Sequence, residues 1–372
     1  MLRSNTYQSA IHESIILFLL IGLNITIATG QHGIKNKIKG MSFLGPHEPE
    51  LEPHMIDAID SIHAEWIAII PEGTLDRGTL QIIPDQHNSN WSETKEGATE
   101  MIKFAQQSGK RIMLKPQIVL DKTTQPNELL NELASYINLS YEKITDKTYG
   151  AEWRGDFEAV SESDWRTWET AYEAYILSYA ELAAELNVDL FCVGTELRES
   201  AIQRPEYWKA LIKKIRSIYH GPITYSANWD EYEEITFWKE LDYIGTNAYY
   251  PISDAETPSV TEAYENWRKI RRKLYAVSKK YNRKMIITEY GYRNVSYTGL
   301  MPWLHVGQTQ SPKINNEAQS NLYEAFYKAI WQESWIAGGF GWNWLYKPLQ
   351  NGNTDFSVQG KPAMKVIASY YK

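Results

Sequence analysis

Leu190-Phe191-Cys192-Val193-Gly194-Thr195-Glu196 and Met285-Ile286-Ile287-Thr288-Glu289 are two short runs, apolar almost throughout, that each end on a glutamate. Their length and β-branched content are those of buried parallel strands, and helix-like segments bound both. A carboxylate at the end of such a strand is costly beside a core, because a buried charge needs partners or a functional reason. In a (β/α)8 barrel the C-terminal strand ends open onto the face that carries the active site. Two carboxyl groups facing each other across that mouth are the equipment for cleaving a glycosidic bond.

Six further strand-like runs complete the pattern: Ile38 to Phe43, Trp66 to Ile70, Arg111 to Lys115, Ile223 to Ala227, Leu241 to Asn247 and Gly338 to Trp344. With Leu190 to Glu196 and Lys284 to Glu289 they make eight, alternating with helical segments. That alternation calls for a parallel sheet with helical crossovers, and the count favours closure. The expected fold class is α/β, a single (β/α)8 TIM barrel over residues 31–372 with an insertion after strand three. The insertion covers roughly Ile118 to Val160, with an excursion helix near Asn127 to Ile137; such insertions build cleft walls.

Between the strands, Ser92 with Glu93 and Glu96 reads as a cap and acidic first turn, and Gly109 as the glycine that stops that helix. Ser161 and Asp164 open a long helix whose Trp165, Trp168, Tyr172, Tyr175, Tyr179, Leu182 and Leu186 recur at spacings of three and four. That stripe is expected to pack on the barrel. Pro205 suits the first turn of the next helix.

The apolar fraction of 43% supports a sizeable core in a chain of 372 residues, and 14 Trp with 25 Tyr exceed what packing alone would lead one to expect. Sugar rings present flat C–H faces, so flat aromatic side chains commonly floor sugar clefts. The net charge is −8, with no basic tract long enough to track a phosphate backbone, so nucleic acid is not an expected partner. Residues 1–30 read as a signal peptide: an apolar stretch from Ile15 to Ala28 follows Arg3 and ends in Ala28-Thr29-Gly30. The expected location is therefore outside the cytoplasm (secreted, periplasmic or on the cell surface), with membrane contact only through that leader if it is uncleaved. The single cysteine, Cys192, allows no internal disulfide. His47, His87 and the other histidines show no ligand spacing, and no phosphate loop or nucleophile elbow occurs, so neither metal nor cofactor is expected.

Glycosidic hydrolysis needs a proton donor for the departing oxygen and a stabiliser for an oxocarbenium-like transition state; retaining enzymes use two carboxyl groups about 5 Å apart. Repulsion between such groups is expected to raise one pKa. The bland alternative pairs Glu196 and Glu289 with the nearby Arg198 and Arg293.

Leu114-Lys115-Pro116-Gln117, Trp153-Arg154-Gly155, Gly194-Thr195-Glu196, Asn247-Ala248-Tyr249-Tyr250, Thr288-Glu289-Tyr290-Gly291 and Trp342-Asn343-Trp344 together resemble glycoside hydrolase family 113, the β-mannanase-type family of clan A. The resemblance spans most of the chain from Lys39 onward. It implies a retaining hydrolase of β-1,4-mannosidic bonds in mannan-type polysaccharides or mannooligosaccharides. Glu196 is then the acid/base and Glu289 the nucleophile. Tyr249 is expected to hydrogen-bond the nucleophile, and Trp344 to be the platform beneath the sugar. Lys115, Asn228, Trp229, Asn247 and Trp153 are further cleft candidates. Two positions depart from the wider clan: Thr195 stands where most members carry Asn, in agreement with family 113, and Gln117 stands where His is common. A clan relative acting on another β-glycan, or a non-catalytic carbohydrate-binding barrel, are the alternatives.

Overall fold

The computed structural model describes residues 37–84, 90–120, 153–304, 312–349 and 352–372. Residues 1–30, the excursion helix and His87 lie outside them. Strands β1 (Ile38–Leu44), β2 (Trp66–Ile69), β5 (Arg111–Leu114), β7 (Leu190–Thr195), β8 (Ile223–Ala227), β9 (Tyr243–Asn247), β10 (Lys284–Tyr290) and β11 (Ile336–Leu345) form one closed barrel. Its ring order is β1-β11-β10-β9-β8-β7-β5-β2, and neighbouring strands pair in parallel. The eight expected strands are thus the eight barrel strands, so Glu196 follows the fourth and Glu289 lies near the end of the seventh.

Two apolar sets divide the interior. Ile38, Trp66, Ala68, Ile70, Met113, Leu190, Ile286 and Phe340 form the smaller cluster, set apart from the larger core that joins strands to helices. The long helix Glu162–Glu185 is capped by Ser161, whose Oγ accepts from the Asp164 N–H at 3.2 Å. Its stripe is buried from Trp165 to Leu182, while Leu186 lies at the cap and is half-buried; Trp168 stacks on Tyr172 at 5.1 Å and 9°. The helix Lys95–Gln107 starts later than Ser92 suggests. Trp91–Glu93 forms a separate 3-10 turn, and Thr94 is the cap, its Oγ1 accepting from Gly97 N at 3.0 Å. Gly109 follows with φ +73°, the left-handed stop. Pro205 opens the helix Pro205–Ile218 at its first turn.

A second, three-stranded sheet stands beyond the barrel mouth: β3 (Glu72–Asp76) pairs antiparallel with β4 (Gln81–Pro84) and parallel with β6 (Gln117–Leu120). Because β3 directly continues β2, and β6 continues β5, the second and third barrel strands run on past the rim as one wall of a cleft. β6 is the described start of the insertion after strand three; Trp153 and a 3-10 turn, Arg154–Asp156, are its return.

Candidate active site

Glu196 leaves its strand in the left-handed conformation, φ +52°, an uncommon and costly backbone for a non-glycine residue that turns the side chain out of the strand's alternation. The turn is held from both sides. Glu196 N donates to Ser226 O at 2.8 Å, and the next N–H, of Leu197, donates to the Tyr225 hydroxyl at 2.8 Å. That hydroxyl in turn donates to Glu231 Oε1 at 3.1 Å. Glu231 is completely buried, and burial together with the charge of Glu196 pushes its carboxyl well above the usual range.

The Glu196 carboxylate is surrounded by donors. Asn247 Nδ2 reaches Oε1 at 2.8 Å, Trp153 Nε1 reaches Oε2 at 3.2 Å, and Arg154 Nη2 reaches Oε2 at 3.3 Å. The Asn247 nitrogen faces the carboxylate because an amide oxygen there would meet another acceptor, and Asn247 Oδ1 instead accepts from Thr288 Oγ1 at 2.9 Å with Ser226 Oγ 2.8 Å away. Trp153 lies across Gly155, where a Cβ would stand 2.2 Å from the indole ring, so only glycine leaves the ring its place. The Arg198 guanidinium covers the same indole, 5.5 Å from its ring centre, while binding Asp156 at 2.7 Å.

Glu289 is served separately. Lys115, fully buried, forms an ion pair with Oε1, and the Tyr249 hydroxyl donates to Oε2 at 2.8 Å. Burial and the adjacent Glu289 push the Tyr249 hydroxyl well above its ordinary pKa, which keeps it a donor. Lys115 also stands 5.5 Å from the centre of the Trp342 ring. The nearby arginines do not take these carboxylates. Arg198 binds Asp156, Glu199 and Asp230, and Arg293 Nε donates to the Thr354 carbonyl.

Both carboxyl groups border one cleft of about 930 Å3, whose walls include Phe43, His47, Glu72, Gln117, Trp153, Arg154, Asn228, Trp229, Tyr249, Trp303, Trp342 and Tyr346. Lys115 and Asn247 are not on its walls; each holds a glutamate from beneath. Gln117 donates through Nε2 to Glu72, which burial and neighbouring Glu93 push upward against the pull of Gln117 and Arg154. Thr195 is buried and faces Cys192, with the hydroxyl 3.9 Å from Sγ.

Two expectations need correction. Trp344 is not a cleft platform: it is 1% exposed and belongs to the core between barrel and helices. Its neighbour Trp342 lines the cleft instead. The ladder explains the exchange. Between the pairs Met41–Gly341 and Phe43–Trp344, β1 advances two residues and β11 three, and the extra residue reverses which side of the sheet each later side chain faces. The other correction concerns charge: neither carboxyl pair repulsion nor burial raises Glu196. Burial alone would lift it, but Arg154, the Asn247 amide, Lys115 and Trp153 outweigh that and hold it below the ordinary range. Reading the sequence also passed over Arg154, Glu72, Trp303 and Trp342. Arg154 and Trp342 sit inside recognised motifs, whereas Trp303 lies in a long connection with no periodic signal.

Among the described residues no group of three His, Cys, Asp or Glu side chains is arranged to hold a metal, and no helix is long and apolar enough to cross a membrane.

A closed parallel barrel with two compensated glutamates at the ends of its fourth and seventh strands is the architecture of a glycoside hydrolase. The sequence model of Glycoside Hydrolase Family 113 matches residues 143–361, more than half of the chain, and the protein belongs to that family of enzymes. Among solved structures it is similar to the GH113 β-mannanase AaManA from Alicyclobacillus acidocaldarius in complex with ManMIm. That pair has a TM-score of 0.73 and 22% identity, covering 90% of this chain and 97% of the other. A GH113 β-1,4-mannanase complex gives a TM-score of 0.69 at 23% identity over 90% and 99% of the two chains. A β-glucuronidase from Ruminococcus gnavus shares the barrel more distantly, with a TM-score of 0.55 and 16% identity over 90% of this chain and 50% of that one. At these identities the likeness speaks for the fold. No curated protein sequence matches the chain.

Trp344 and Trp342 should separate on substitution. Trp344→Ala removes a buried indole and should cost about 3–5 kcal/mol of stability, with activity per folded molecule largely kept. Trp342→Ala should show the converse, a small shift in melting temperature and a large loss of turnover. Thermal denaturation beside kcat on one preparation of each variant checks both.

Proposed function

We propose that this enzyme hydrolyses β-1,4-mannosidic bonds with net retention, by double displacement, Glu289 acting as nucleophile and Glu196 as acid/base. The observation that carries the reading is the unequal provision for the two carboxylates. Glu289 has an ammonium on one oxygen and a phenol on the other, which orients a charged group without consuming the face open to the cleft. That is what a nucleophile requires. Glu196 is bordered by donors that favour its carboxylate, which suits the second step, when it takes a proton from water. Formation of the glycosyl-enzyme removes the negative charge of Glu289, so the field opposing ionisation of Glu196 weakens as it changes from acid to base.

Membership of family 113 and the mannanase names of similar structures support mannan over other β-glycans. The apolar leader at residues 1–30 supports an exported enzyme, in keeping with a polymeric substrate outside the cell.

The two glutamates are told apart by azide. With an activated aryl β-mannoside, Glu196→Ala should retain glycosylation, stall at deglycosylation and form a β-mannosyl azide when azide is added. Glu289→Ala should be inactive on every substrate without a rescuing anion. The pattern reversed, with an α-azide from the Glu196 variant and a β-azide from the Glu289 variant, would exchange the roles. Proton NMR of the first product from wild type should show the β-anomer; an initial α-anomer would exclude double displacement.

The pH profile follows from Arg154. In the free enzyme the basic limb of kcat/KM reports the coupled carboxyl pair, with loss of the Glu196 proton as its main event. Removing the guanidinium destabilises the carboxylate, raises its pKa and keeps the acid protonated to higher pH. Arg154→Met should therefore move the basic limb upward, and a downward or absent movement would show that Arg154 does not set the Glu196 proton.

A further inference from the structure

The cleft reaches across the barrel rather than ending at the carboxyl pair. Phe43, His47, Glu93 and Tyr346 border it on segments associated with the first, second and eighth barrel strands, whereas Asn228 and Trp229 follow the fifth. In the ring order β1 and β8 are four places apart, diametrically opposite, so these groups form two arms with the glutamates between them.

The arm over β8 has a built floor. Trp303, in the connection after the seventh strand, stacks on Trp229 with ring centres 5.7 Å apart and planes at 16°. Trp229 is buttressed by Tyr250 at 5.7 Å and 61°, and Tyr250 by the fully buried Trp267 at 5.5 Å and 74°. The series runs from the core to the cleft wall, so the outermost indoles are rigid before any ligand arrives. A flat, pre-ordered indole offers a sugar's C–H face a large contact area at little conformational cost.

Position fixes which part of the substrate this floor meets. Glu196 follows β7, the neighbour of β8, while Glu289 lies on β10 beside Trp342 of β11. The leaving oxygen must approach the acid, and the departing portion of the chain therefore lies toward β8. Resting on the β-mannan reading above, we propose that Trp303, braced by Trp229, is a binding platform for a mannosyl unit on the leaving-group side.

The test compares two substrates that share the transferred sugar. Mannohexaose reaches into the β8 arm after cleavage-site binding; β-mannobiosyl fluoride has a single-atom leaving group that cannot. In Trp303→Ala the ratio of kcat/KM for mannohexaose to that for the fluoride should fall about tenfold, with Trp303→Phe between the two. Trp303→Ala should also shift the distribution of products from mannohexaose. An unchanged ratio and product profile in a variant of wild-type melting temperature overturns the platform. Equal losses on both substrates also overturn it, placing Trp303 on the glycosyl side. A wild type that turns over neither substrate, yet cleaves another β-glycan, is a different result: it defeats the mannan reading.

Discussion

Everything at the barrel mouth follows from having two carboxylates in a site nearly closed to water. Glu196 and Glu289 are 7% and 5% exposed, and so little solvent cannot supply the hydration that a charged group loses. Compensation has to come from the protein, and it comes from one cation each: Arg154 for Glu196 and Lys115 for Glu289. Two anions and two cations balance locally. The half-buried Glu72 and the fully buried Glu231 are accommodated differently, their carboxyl pKa values pushed upward chiefly by burial. Of these four carboxyl groups, only Glu196 and Glu289 carry cationic partners at hydrogen-bonding distance.

That balance depends on the barrel because its members come from different strands. Lys115 extends from the third barrel strand, Asn247 from the sixth, Thr288 and Glu289 from the seventh, and Ser226 from the fifth. The Ser226 and Thr288 hydroxyls and Asn247 Oδ1 stand 2.8–2.9 Å from one another under the cleft floor, and the hydroxyl protons hold the Asn247 amide. A shift of register in any one strand would separate these three groups. Closure of the sheet is what makes the register reliable, since a closed barrel has no edge strand free to slip.

The parts legible in the sequence are those governed by burial alone. Barrel strands such as Trp66–Ile69 are continuous apolar runs because both faces are covered, and the buried stripe of the helix Glu162–Glu185 shows at helical period. The small outer sheet was not legible. Glu72–Asp76 reads Glu-Gly-Thr-Leu-Asp, with a glycine, two acids and alternating burial, and β4 is mostly exposed. Trp342 and Trp344 are a harder case. Nothing in Gly-Trp-Asn-Trp states that a bulge falls between them, because a bulge is decided by the partner strand, and the facing of each tryptophan depends on it. Arg154 is invisible for a related reason: its charge matters only through the fold that returns the chain from the third strand to the side of the fourth.

The left-handed backbone at Glu196 ties these observations to chemistry. A residue continuing the strand would point alternately into the barrel or into the helical layer. Reversing φ at this one residue releases the carboxyl from the alternation, at a cost that surrounding contacts must offset. The offset is visible: Ser226 O takes the Glu196 N–H, and Tyr225, its proton directed to Glu231, is left with a lone pair for the Leu197 N–H. Tyr225 is locked in turn against Trp208, Phe237 and Trp238. The aromatic richness of the chain therefore has two destinations. One part fills the space between barrel and helices and holds Tyr225 in place; the other surfaces in the cleft as Trp153, Trp229, Trp303 and Trp342. The same packing that makes the core rigid fixes the position of the Glu196 carboxyl, so core and site form one mechanical unit.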